Sequence, residues 1–153
     1  MTMVMIPVTI EQLRALAHDG RLDDRLAAIA VDDALADEFG VAPGEEAEAA
    51  ALQLADVLGL ATRQVTIDGV ARRQVLVAEV PAARIEPAGD SAVVVPPVWR
   101  RDVLSFYTGD CAADLVMAAG GLSLDAAWEL PGVQAMLARQ PLAWHDVSEL
   151  GAT

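Results

Sequence analysis

The spacing of apolar residues changes twice along the chain. From residue 10 to 58 they recur at helical intervals, from 65 to 108 they stand in short β-branched blocks, and from 111 to 139 helical spacing returns. Within the middle stretch, 72–110, three runs read as strands: 74–80, 92–98 and 103–108, each bounded by proline, glycine or charge. Val75, Leu76 and Val77 are apolar without alternation, as are Val93, Val94 and Val95, so both faces of these strands should be covered. The pattern predicts one α+β domain over residues 1–153. Its sheet, mixed or largely antiparallel, should have about four to six strands, covered by helices from the N-terminal third and the C-terminal third.

Local signals fill in the order. Residues 3–8 form a short β-prone run. Thr9 then predicts an N-cap for a helix over 10–18, with Gln12 completing a capping box and Asp19-Gly20 ending it. Residues 21–30 read either as a second short helix or as a loop into a strand at 28–31. Asp32 should cap a helix over 33–39 that Gly40 closes in the left-handed conformation. Pro43-Gly44 opens a longer helix over 45–58, with Glu45, Glu46 and Glu48 at the positive end of its dipole and Gly59 as its stop. Asp68-Gly69 between β-prone arms predicts a two-residue hairpin in which Ile67 faces Val70 and Val65 faces Arg72.

Further on, Val80-Pro81 and Val95-Pro96-Pro97 each end a strand and lead through a short turn to an apolar re-entry, at Ile85 and at Val103. Asp110 reads as the cap of a helix over 111–119 halted by Gly120-Gly121. A helical stretch over 125–139 restarts at Pro131. Residues 142–147 should return to the sheet as a strand and bring Trp144 against the core.

Composition narrows the functional classes. The chain is 54% hydrophobic but only 4% aromatic, so its core must be built from Ala, Val and Leu. The net charge is −13, and residues 1–60 hold twelve acids against three arginines, whereas 61–110 hold six of each. The acidity thus belongs to the segments that wrap the sheet. Such a surface repels phosphate backbones and anionic lipid, which argues against direct nucleic-acid and membrane binding. The opening MTMVMIPVTI lacks a basic region before its short apolar run, and one cysteine cannot form an internal disulfide; a cytoplasmic protein is expected.

The segments IPVTIEQLRAL, GRLDD, AIAVDDAL, EEAEAAALQLA, VLVAEVP, VLSFYTGD and LAWHDVSEL, taken in order over nearly the whole chain, resemble a family of small acidic actinobacterial proteins of unknown function. That resemblance implies a single domain and carries no catalytic residue or ligand to this chain.

Candidate chemistry is sparse. Cys111 at a helix start would have its thiolate favoured by the dipole, but Asp110 and Asp114 oppose this, and no hydrolase signature surrounds it; a buried structural cysteine is expected. His145, Asp146, Asp110 and Asp114 match no metal-ligand spacing, and no phosphate-binding glycine motif occurs, so no catalytic residue, metal or cofactor is assigned. His18 and the acid pairs 23–24, 32–33 and 45–46 read as helix-terminal groups. The candidate interface is Trp99, Arg100 and Arg101, where an aromatic stands beside two cations on a surface connection. In the competing arrangement Trp99 folds back over the core and both arginines pair with the acidic helices. Three functions stay open: a non-catalytic interaction or regulatory module with a protein partner, a small-molecule binder or hydrolase built from dispersed carboxylates and His145, and an acidic decoy for a nucleic-acid-binding protein.

Overall fold

The computed structural model describes residues 1–89 and 91–152. Its centre is strand β1 (Thr2–Val8), whose residues alternate between two faces: Met3 and Met5 point one way, and Val4, Ile6 and Val8 the other. Thr9 ends the strand and caps α1 (Ile10–Asp19). Its hydroxyl accepts from the Gln12 N–H at 3.2 Å while the Gln12 side chain accepts from the Thr9 N–H at 2.9 Å, the expected reciprocal box. Gly20 closes α1 at φ 76°. The undecided stretch that follows forms no helix but two strands, β2 (Arg21–Leu22) and β3 (Leu26–Val31). Asp32 caps α2 (Asp33–Phe39) through the Leu35 N–H, and Gly40 ends it in the left-handed region.

Helix α3 runs over Glu45–Ala61, so Gly59 is not its stop. Glycine is there because the helix lies directly on the sheet: a Cβ at residue 59 would come within 2.9 Å of the Pro7 Cβ. The hairpin that follows joins β4 (Thr66–Asp68) to β5 (Val70–Val80), with Ile67 opposite Ala71 and Asp68 opposite Val70, one residue off the expected register. A two-residue hairpin turn needs positive φ at its first central position, and type I′ at both; here Gly69 has it while Asp68 does not. Then come β6 (Glu86–Gly89), β7 (Ala92–Val95), β8 (Val98–Trp99) and β9 (Val103–Cys111). Short 3₁₀ turns after Pro81 and Trp99 occupy the two expected connections. The run 92–98 is split because Pro96-Pro97 offers no N–H donors; β8 pairs with β2 in a separate ladder.

Three helices follow: α4 (Ala113–Ala119), α5 (Leu124–Trp128) and α6 (Pro131–Arg139), the last restarting with proline at its first position. Helix α4 starts later than expected because Asp110 and Cys111 still pair with Arg72 and Ala71 in the β5–β9 ladder. Strand β10 (Ala143–Asp146) closes the sheet on β9.

The architecture is α+β, with antiparallel pairing in every ladder among the described residues. Among the described residues the main sheet has eight strands in the order β10-β9-β5-β1-β3-β7-β6, with β4 on the projecting end of β5. It is wider than expected because the undecided stretch resolves into β3 and because 86–89, outside the expected strands, pairs with β7. One face, with Met5, Ile29, Val75 and Val77, lies under α3 and the C-terminal helices. The other, with Val4, Ile6, Leu76 and Phe106, lies under α1 and Leu150. Covered on both sides, Val75, Leu76 and Val77 are all buried, as their unbroken apolar run requires. Among the described residues no helix is long and apolar enough to cross a membrane.

Candidate functional site

Helix α3 divides its face of the sheet into a closed end and an open one. At the closed end residues 54–61 are buried without exception, including Asp56. The Asp56 carboxylate accepts from Arg73 of β5, and both residues are under 5% exposed. Arg73 also donates to the carbonyls of Asp110 at 3.0 Å and Gln140 at 2.6 Å, tying α3, β5, β9 and the segment after α6 together. Burial pushes the Asp56 carboxyl up to about 6, with Arg73 opposing the rise through its charge and hydrogen bond. Cys111 lies beside this pair at the end of β9, 3% exposed, and burial raises its thiol pKa as well. A perturbed carboxyl, a guanidinium and a thiol resemble catalytic equipment, yet nothing can approach groups so enclosed. They act as a bolt through the fold.

At the open end the first turns of α3 stand away from β9 and β10, leaving a cleft of about 430 Å³. Its apolar wall includes Met3, Met5, Leu52 and Val77. Tyr107 and Trp144, on paired strands, present aromatic rings to it. Trp144 is 58% exposed, so it does not pack on the core as the sequence suggested. Strand β10 is a sheet edge, and α3 does not extend over it. A bulge opposite Val77 and Ala78 inserts Leu104 as an extra residue in β9, and Leu104 joins the cleft at 43% exposure. Glu45 and Glu48 complete the lining, and neither makes a side-chain hydrogen bond or ion pair among the described residues. Glu46, by contrast, accepts from the Ala42 N–H at 2.8 Å.

The sequence-derived interface residues lie elsewhere. Trp99 in β8 is 37% exposed, and the guanidinium carbons of Arg101 and Arg21 sit 5.0 and 5.1 Å from its ring centre. Arg100 reaches the Ala17 carbonyl in the last turn of α1 at 3.2 Å. The cations of this patch thus meet an indole and a carbonyl rather than the helices' carboxylates.

The four residues considered for a metal do not come together. His145 stacks on Phe106 at 4.9 Å between ring centres and lines one cavity with Asp110. Asp114 lines another. Asp146 is fully exposed, and hydrogen bonds from Ser148 lower its pKa. Among the described residues no three His, Cys, Asp or Glu side chains gather to hold a metal ion. Of the acid pairs, 32–33 and 45–46 stand at the starts of α2 and α3 as expected, but Asp23 and Asp24 lie between β2 and β3 with no helix to cap: Asp23 pairs with Arg21 at 2.6 Å, and Asp24 accepts from the Gln12 amide at 3.0 Å.

The cleft escaped sequence reasoning because its parts come from β1, α3, β5, β9 and β10. The bolt left one signal, an acid inside the apolar run LADVLGLA, on the side of a helix that had to face the sheet. A search of curated proteins and a search of solved structures each returned no match. A family model described as a family of unknown function (DUF6912) fits residues 2–152, and the chain, with that fit over nearly its whole length, belongs to this family.

Proposed function

We propose that the protein is a non-catalytic interaction module that docks a short segment of a protein partner in the cleft beside Trp144. The observation that carries this reading is an indole 58% exposed above an apolar floor, with two carboxylates at the rim that have no partner of their own. Exposed tryptophan that becomes desolvated is the side chain most often decisive in interfaces. The carboxylates specify the partner's chemistry: a lysine or arginine next to a bulky apolar residue, so that the cation meets Glu45 or Glu48 while its neighbour fills the floor. More than half of Trp144 remains open to solvent, which suits a segment laid across the cleft better than an enclosed small molecule.

Trp99, Arg100 and Arg101 form a second, separate contact surface in this proposal, suited to acidic groups because the indole already has cations beside it. The protein is read as cytoplasmic, in keeping with its single cysteine.

Selection of displayed random peptides on the immobilised protein tests the reading. Enriched peptides should carry Lys or Arg within about three positions of a bulky apolar residue, and Trp144→Ala should weaken them about 30-fold, the size of an interface hot spot. Enrichment of acidic peptides, no enrichment, or binding indifferent to Trp144→Ala would overturn it.

A further inference from the structure

The α1 face of the sheet has a cavity of its own, independent of the cleft and about 420 Å³ in volume. Register explains its composition. Arg72 lies opposite Asp110, Gln74 opposite Thr108, and Phe106 between Leu76 and His145, so alternate residues of β5, β9 and β10 share the face that α1 covers. Arg14 on α1 reaches the same space, and Ile10 and Leu13 give it an apolar side. Thr108 Oγ1 lies 2.8 Å from His145 Nε2, and His145 Nδ1 lies 3.5 Å from a Glu149 oxygen.

In a chain of net charge −13, two guanidiniums opening on one cavity are unexpected. Neither Arg14 nor Arg72 makes a side-chain hydrogen bond or ion pair among the described residues, whereas Arg21, Arg25 and Arg73 each hold a carboxylate. We propose that this cavity binds the phosphate group of a small phosphate monoester. Two guanidiniums, joined by the Thr108 hydroxyl where His145 Nε2–H donates to it and frees its own proton, supply more donors than the two oxygens of a carboxylate can use, and they match three terminal phosphate oxygens. Ile10, half-buried over the buried Leu13, provides contact for the organic part of an ester, which inorganic phosphate lacks. The chain's overall acidity does not forbid this, because charges farther than about 8 Å are largely screened at physiological salt. Among the described residues Asp110 is the one carboxylate lining the cavity; it repels an anion set against it and can accept from a ligand hydroxyl.

Calorimetric titration at about 0.15 M salt with phenyl phosphate, inorganic phosphate and benzoate tests the proposal. Phenyl phosphate should bind saturably with a Kd of about 1 mM or lower and more tightly than either other probe. Arg72→Gln and Arg14→Gln should each weaken it about tenfold or more, Thr108→Val should weaken it by a smaller factor, and Asp110→Asn should tighten it. Both arginines are exposed, so thermal melts of these variants should match the wild type and show that lost binding is not lost folding. Benzoate binding as tightly as phenyl phosphate overturns the phosphate assignment, and inorganic phosphate binding as tightly overturns the ester. No saturable binding, or binding unchanged in both arginine variants, overturns the site.

Discussion

The two ends of α3 lie on the same face of the same sheet and carry acids at each end, yet those acids have opposite fates. At the C-terminal end α4 and α5 complete the cover, so Asp56 had to find a cation inside and found Arg73. At the N-terminal end the cover stops short of β10, and Glu45 and Glu48 face a cleft with an uncovered tryptophan. The first arrangement has the perturbed carboxyl that draws attention in a search for chemistry, but it is sealed. The second has ordinary carboxylates and exposed apolar surface, which is what a partner can reach. Burial, more than perturbation, separates a structural charge from an available one.

The largest effect should come from breaking the sealed end. Asp56→Ala takes away the carboxyl that accepts from Arg73, leaving guanidinium donors unmet and a void inside the core, and should cost about 3–5 kcal/mol in urea unfolding. Replacing both partners at once, Asp56→Leu with Arg73→Met, should recover most of that loss. A single variant within about 1 kcal/mol of the wild type would mean that the pair does not bolt the fold.

The same carboxyl sets a pH dependence. Well below pH 3.8 Asp56 is protonated whether folded or unfolded. Between 3.8 and about 6 the folded chain keeps a proton that the unfolded chain has released, so stability from this group falls as pH rises through that window. The loss is read as the wild type's change from about pH 3 to 7.5 minus that of Asp56→Asn, and the wild type should lose more. Equal slopes for the two proteins would contradict the raised pKa.

A smaller effect distinguishes α3 lying on the sheet from α3 as a free helix. Gly59→Ala would gain up to about 1 kcal/mol in an exposed helix, but here its new Cβ meets the ring of Pro7, and a net loss of about 1–2 kcal/mol is expected in denaturant titration. A gain would mean that α3 sits farther from β1.

The open end should hardly respond at all in stability. Trp144→Ala and the pair Glu45→Gln, Glu48→Gln should each shift unfolding by no more than about 1 kcal/mol. The glutamine pair should nevertheless weaken a basic peptide several-fold, with the effect fading at high salt. A large loss of stability in either variant would make the cleft part of the core.

What the sequence disclosed followed the range of the interactions. Thr9 with Gln12, Asp32, Gly40 and Pro131 act within a few residues of themselves, and each occupies the place its chemistry implied. The turn at Gly69 was legible as a turn, but its register depended on φ at Asp68, which residue type alone does not set. Gly59 read as a stop because its reason, Pro7, lies far away in the chain. Trp144 read as core because its strand was recognised, while its position at an uncovered sheet edge was not. The bulge that turns Leu104 outward exists only in the pairing of β9 with β5.

The central claim is that the cleft beside Trp144, rather than the arginine-flanked Trp99, receives a basic and apolar segment. The three indole N–H signals of the ¹⁵N-labelled protein, assigned by single Trp→Phe variants, report on Trp99, Trp128 and Trp144 separately. Titrated with a peptide from the display selection, the Trp144 signal should move and saturate in step with binding while the other two hold still. Movement of Trp99 or Trp128 with Trp144 unchanged would contradict the account.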